Sequence, residues 1–147
     1  VTVATINNCA IPDDLYYLVE KHVWVRREGD GAVLLGITDP AQKLAGRIVA
    51  LTTKKIGRVI AKGQSAGTVE SSKWVGPIPS PLSGEIVAVN EVPQKDPTVL
   101  NRDPYTNWVV RLQPSKWDEE YGEMLTGPEA VEAYRRLIQE AGIDCGS

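Results

Sequence analysis

The sequence predicts a mainly β fold of two similar halves that hold a lysine on a hairpin tip, with short helices and one longer helix at the C-terminus. Three observations lead there. First, residues 63–81 run from an apolar-leaning stretch through a small polar tip, Ser71-Ser72-Lys73, into Trp74-Val75 and a proline-rich exit. Strand, tight tip, strand is the pattern of a β-hairpin, here with Ser-Ser in place of Asn-Gly at the turn. Second, Gly46-Arg47-Ile48-Val49-Ala50 returns as Gly84-Glu85-Ile86-Val87-Ala88, 38 residues on. The pair brackets the hairpin, as a sandwich of two similar halves would arrange it. Third, residues 128–141 open on a proline, stop at Gly142 and bring Val131, Tyr134, Leu137, Ile138 and Ala141 to one helical face. That face is expected to dock on the sheet, with a partner-binding helix as the alternative.

The remaining elements follow in order. The first dozen residues show no period, and Ile11-Pro12-Asp13-Asp14 is a turn. Residues 15–19 form a strand or short turn. Residues 23–27 form a strand, and Glu28-Gly29-Asp30-Gly31 turns the chain. Residues 32–37 are a continuous apolar run, a strand buried on both faces. Thr38 or Asp39 caps a short helix over 40–44 with Pro40 in its first turn and Gly46 as its stop. Residues 47–52 are the next strand. After the second half's strand comes a polar connection over 92–97, a turn at Asp103-Pro104-Tyr105, a last strand over 108–112 and a linker over 114–122 with a possible helical turn.

At 147 residues the chain suffices for one domain with a real core. A formal charge of −3 and pI near 5.2, with the basic residues dispersed, exclude an electrostatic case for nucleic acid. No apolar run spans a membrane and no signal peptide is visible at Val1, so the expected location is the cytoplasm. His22 is the single histidine. With no His-based metal site, no nucleophile–base pair and no phosphate loop, the chain is expected to be no enzyme. Cys9 and Cys145 lie near opposite ends and are expected as free thiols; their pairing, or a role as redox thiols toward a cargo, is the alternative.

A lysine raised on a hairpin tip is an amine open to a modifying enzyme, although most such lysines are plain solvated charges. The spacing around Lys73 argues for the former. Ile56-Gly57, Ile60, Gly63, Val69-Glu70 and Lys73 resemble the signature of lipoyl and biotinyl carrier domains, with the lysine ten residues after the second glycine. Pro79-Ser80-Pro81-Leu82-Ser83-Gly84-Glu85-Ile86-Val87 is similar to their return strand. Biotinyl carriers usually place Met on both sides of the lysine, whereas Ser72 and Trp74 flank Lys73. Further out, His22-Val23-Trp24-Val25, then Gly36-Ile37-Thr38-Asp39-Pro40-Ala41-Gln42, Val89-Asn90-Glu91 and Asn101-Arg102-Asp103-Pro104-Tyr105 resemble the H protein family of the glycine cleavage system. The likeness covers a core at 15–112, leaving a C-terminal helical extension at 114–147 of a single domain, 1–147.

The resemblance implies a barrel-sandwich hybrid of the lipoyl type, lipoate in amide linkage on Lys73, and Glu70 in the segment read by a lipoate-attaching enzyme. The chain would be a non-catalytic carrier whose cofactor supplies the reactivity. Acylation removes the lysine charge, so the arm can lie along an apolar groove. Four departures bear on the cargo. The family's acidic residue in the strand after Gly-x-Ile-Val is absent from Ala50-Leu51-Thr52-Thr53-Lys54-Lys55. A lysine pair would not stabilise the cationic cargo of glycine cleavage. Trp74 replaces a small residue, the 105–108 turn lacks a glycine before Trp108, and the tail is longer. These features are similar to the lipoate-binding proteins of bacterial sulfur oxidation. The sequence reading therefore prefers a shuttle of sulfur intermediates to a heterodisulfide-reductase-like complex. The alternatives are an H protein moving an aminomethyl group between decarboxylase and aminomethyltransferase, and an unmodified binding module with the lipoyl fold.

Overall fold

A computed structural model describes residues 2–146. The chain opens with a hairpin, β1 (Val3–Ile6) and β2 (Cys9–Pro12), where the sequence showed no period. Its two-residue turn is Asn7-Asn8, with φ of 46° and 64°. Asparagine tolerates this left-handed region, so the turn forms without the glycine that usually marks it. β3 (Tyr16–Leu18), β4 (Val23–Arg27) and β5 (Val33–Ile37) then form a meander. Trp24 and Gly36 are direct cross-strand partners, and a Cβ on Gly36 would sit 2.3 Å from the Trp24 ring. The Trp and the Gly of the two sequence motifs are thus one packing unit. Thr38 caps α1 (Asp39–Ala45) by accepting the Ala41 N–H, and Gly46 ends it.

β6 (Ile48–Thr53), β7 (Val59–Ile60), β8 (Ser65–Ser71), β9 (Val75–Pro79) and β10 (Gly84–Val89) follow. The five-residue echo is structural. β10 begins at its glycine and β6 two residues after its own; each buries its isoleucine and exposes its valine, and each shifts register at that valine, between Ile48 and Ala50 and between Ile86 and Ala88. One bulge per half bends the strand at the same step. The expected polar connection is instead two short helices, α2 (Glu91–Lys95), capped by Asn90, and α3 (Val99–Arg102). Pro93 falls in the first turn of α2, where its missing N–H costs nothing. β11 (Val110–Pro114), α4 (Trp117–Glu120), β12 (Leu125–Thr126) and α5 (Gly127–Ala141) complete the chain. The strand over 108–112 is therefore not the last.

A seven-stranded antiparallel sheet runs β12-β3-β4-β5-β11-β10-β7, and β6-β8-β9 forms a second sheet across from it. Pro77 and Pro79 lie in β9, an edge strand that needs no full ladder. Alternation along β4 and β5 splits their side chains between two cores. Val23, Val25 and Leu35 face the second sheet with Leu51, Val69 and Ile78, whereas Trp24 and Leu34 face the N-terminal hairpin and α5. Every β5 side chain is buried, as its continuous apolar run requires. The buried line of α5 is Ala130, Tyr134 and Ile138; Ala141, placed on that face from the sequence, is exposed. Among the described residues no helix is long and apolar enough to cross a membrane.

Cys9 and Cys145 form a disulfide, which overturns the expectation of free thiols and realises the pairing alternative. Spacing along the chain could not show it, because α5 brings the two ends together across 136 residues. Asn7 and Asn8 reinforce the closure, donating to Ile143 O and to the Asp144 carboxylate. The disulfide is expected to stabilise the chain by about 2–4 kcal/mol, the usual effect of closing a long loop. A Cys9→Ser/Cys145→Ser double variant should therefore unfold at clearly lower guanidinium concentration; coincident midpoints would refute the staple.

Candidate functional site

The β8–β9 hairpin lifts residues 72–74 clear of the second sheet. The tip lies one residue later than the sequence indicated, because Ser71 is buried and closes the loop. Its N–H donates to Trp74 O at 2.7 Å, its hydroxyl donates to the same carbonyl, and that hydroxyl accepts the Lys73 N–H. Ser72 N–H donates to Arg47 O, tying the tip to the bend between α1 and β6. Lys73 and Glu70 are both exposed, Glu70 standing on β8 opposite Val75.

The bend is fixed by one side chain that sequence reasoning passed over as part of a motif. Asn101, on α3, donates to Gly46 O at 2.8 Å and to the Gln42 side chain, and accepts the Ile48 N–H at 2.9 Å. Gln42 in turn donates to Asp39, whose other carboxylate oxygen accepts the Ala10 N–H. A continuous polar chain thus joins the N-terminal hairpin to the ground on which Lys73 rests. Gly46 has φ of +81°, and a Cβ there would lie 3.0 Å from Lys73 Cε. The lysine stem lies directly on the glycine, which supplies both the backbone conformation and the space.

Lys73 borders a cleft of about 750 Å³ between α1, the β4–β5 end and the hairpin. Ala41, Leu44, Ile37, Val23, Val69 and Ile78 give it apolar walls. Glu20, Lys21 and His22 also line it, so the segment before β4 brings both a carboxylate and an ammonium to the cleft. Lys54 and Lys55 do not bear on the cleft. β6 leaves the tip at Ile48, the partner of Ser71, and Lys54 lies six residues further along, about 20 Å at roughly 3.3 Å per residue. His22 has φ of 57°, is partly buried beside Tyr134, and burial lowers its pKa from the ordinary 6.5. Burial also raises the hydroxyl pKa of Tyr134 and Tyr105, which serve as neutral hydrogen-bonding groups.

An exposed lysine held over a glycine on a hairpin tip, beside a largely apolar cleft and between two β-halves, defines a carrier domain of the lipoyl type. The family described as "Glycine cleavage H-protein" matches residues 15–138. Glycine cleavage system H protein 5 of Aquifex aeolicus is 40% identical over 148 residues, covering 97% of this chain and 99% of the relative. A probable glycine cleavage system H protein 2 of Sulfolobus acidocaldarius is 41% identical over 141 residues, covering 94% of each. A crystal structure of a glycine cleavage system H protein from Mycobacterium marinum superposes with a TM-score of 0.74 at 35% identity, over 84% of this chain and 98% of that one. The chain belongs to the glycine cleavage H protein family, whose members are non-catalytic subunits carrying lipoate on a lysine. The preference for sulfur carriage drawn from the sequence finds no support among these relatives.

Two outcomes follow from the site. Asn101→Ala leaves Gly46 O and Ile48 N–H without their partner and should cost about 1–3 kcal/mol. Amide hydrogen exchange should speed up at Ile48 and Ser72; unchanged exchange there would free Asn101 of this role. His22 is held neutral, so the unfolded chain binds the extra proton and stability is fully present above about pH 6.5 and lost as pH falls below it. His22→Asn, which keeps the left-handed backbone, should lose Tm less steeply than the wild type between about pH 7 and 5.5. Parallel Tm–pH curves would contradict the assignment.

Proposed function

We propose that Lys73 bears lipoate in amide linkage and that the loaded chain shuttles an aminomethyl group between a glycine decarboxylase and an aminomethyltransferase. The observation that carries this reading is the exposed Lys73 at the edge of an apolar cleft large enough for an arm. Lipoate, when bound, supplies a disulfide that opens to two thiols able to take up and release a fragment. The chain's own part is positional. Ser71 and the Ser72–Arg47 hydrogen bond fix where the lysine leaves the backbone, and the glycine beneath its stem lets it turn toward the cleft. Once acylated, the lysine no longer carries an ammonium into apolar surroundings, whose walls then favour the arm over water. Glu20 gives the cleft one carboxylate toward a cationic cargo.

Glu70, exposed three residues before Lys73, is proposed as a contact for the lipoate-attaching enzyme. The names of the relatives and the family support glycine cleavage proteins as the other partners.

Glycine–bicarbonate exchange with a glycine decarboxylase tests the reading. Protein lipoylated on Lys73 should support exchange well above a Lys73→Arg blank, and Glu20→Gln should lower the rate without changing the fold. Fully lipoylated, folded protein that supports none would exclude the aminomethyl role and return the question to a sulfur cargo.

A further inference from the structure

Two neighbouring side chains at the tip lie on glycines. Lys73 rests on Gly46, and the Trp74 indole rests on Gly76, where a Cβ would be 2.0 Å from Trp74 Cζ2 and 2.3 Å from Cη2. Trp74 is 47% exposed and belongs to neither hydrophobic core, yet its ring packs against Gly76 of its own strand. Core packing therefore does not account for an indole held this way on a loop tip. Its exposed surface borders the cleft together with Pro77, Ile78 and Pro79, immediately beside Lys73.

We propose that Trp74, seated on Gly76, is a positioning residue for a lipoyl arm that folds back along the cleft, holding its sulfur ring against the cleft wall and sheltering the disulfide from solvent. This rests on the reading that Lys73 carries lipoate. A flat, polarisable aromatic surface suits a two-sulfur ring better than an aliphatic wall of the same area, because sulfur–aromatic contacts add to apolar burial. The prolines stiffen the strand behind the indole, so the wall costs little ordering when the arm arrives. Gly76 is the second half of the device: a side chain there displaces the ring while leaving the tryptophan in the sequence.

The test measures how fast a water-soluble phosphine reduces the lipoyl disulfide on the intact protein. The new lipoyl thiols are alkylated and read by peptide mass, apart from those of Cys9 and Cys145. Trp74→Ala and Gly76→Ala should each be reduced about two- to tenfold faster than wild type, the range a sulfur–aromatic contact supports, with Trp74→Phe close to wild type. Trp74 is a half-exposed tip residue, so its loss should leave the fold intact. If Trp74→Ala accepts no lipoate, Gly76→Ala carries the comparison. A loaded variant reduced at the wild-type rate overturns this inference alone. An intact mass showing no lipoyl group on the wild type overturns it together with the Lys73 reading.

Discussion

The Asn101 side chain sets the ground on which the site stands. One amide spans the end of α1 and the start of β6, taking Gly46 O and Ile48 N–H, the two backbone groups that the bend leaves unpaired. Buried polar backbone without a partner costs more than a hydrogen bond gains, so the bend is closed only while that amide is in place. Gly46 then presents a flat surface, Arg47 O takes the hairpin's Ser72 N–H, and the lysine lies where the cleft begins. The loop that bears Lys73 is thereby fixed through its backbone.

Behind the site, β4 and β5 work as a shared wall. Their alternate residues feed a sandwich core on one side and a second core under the N-terminal hairpin and α5 on the other. Each buried aliphatic side chain contributes about 1.5–3 kcal/mol, and both faces of the same two strands collect it. The tail is part of this arrangement. β12 extends the large sheet beside β3, α5 covers the face of Trp24, and the Cys9–Cys145 disulfide holds the two termini there. Asp39 and Gln42 connect that second core to Asn101, so the stapled ends bear on the ground beneath Lys73 through consecutive hydrogen bonds.

Local chemistry made much of this legible in the sequence. The hairpin, the α1 cap and stop, the doubly buried β5 and the echo of the two halves all follow from residues within a few positions of one another. The motif glycines were visible but their reasons were not: Gly36 receives Trp24 and Gly76 receives Trp74, contacts that need strand register or ring orientation to see. The N-terminal hairpin was hidden because Asn7-Asn8 makes a left-handed turn without glycine. The disulfide and Glu20's place at the cleft depend on long-range closure. An acid was sought on one strand, whereas the segment before β4 brings Glu20 and Lys21 together to the cleft.

The central claim is that this scaffold singles out Lys73 as the attachment point. Protein treated with lipoate, ATP and a lipoate-attaching enzyme, then digested and mapped by mass, addresses it directly. One lipoyl group per chain is expected, on Lys73 and on no other lysine. A lipoyl group on a different lysine, or none on folded protein, would contradict it.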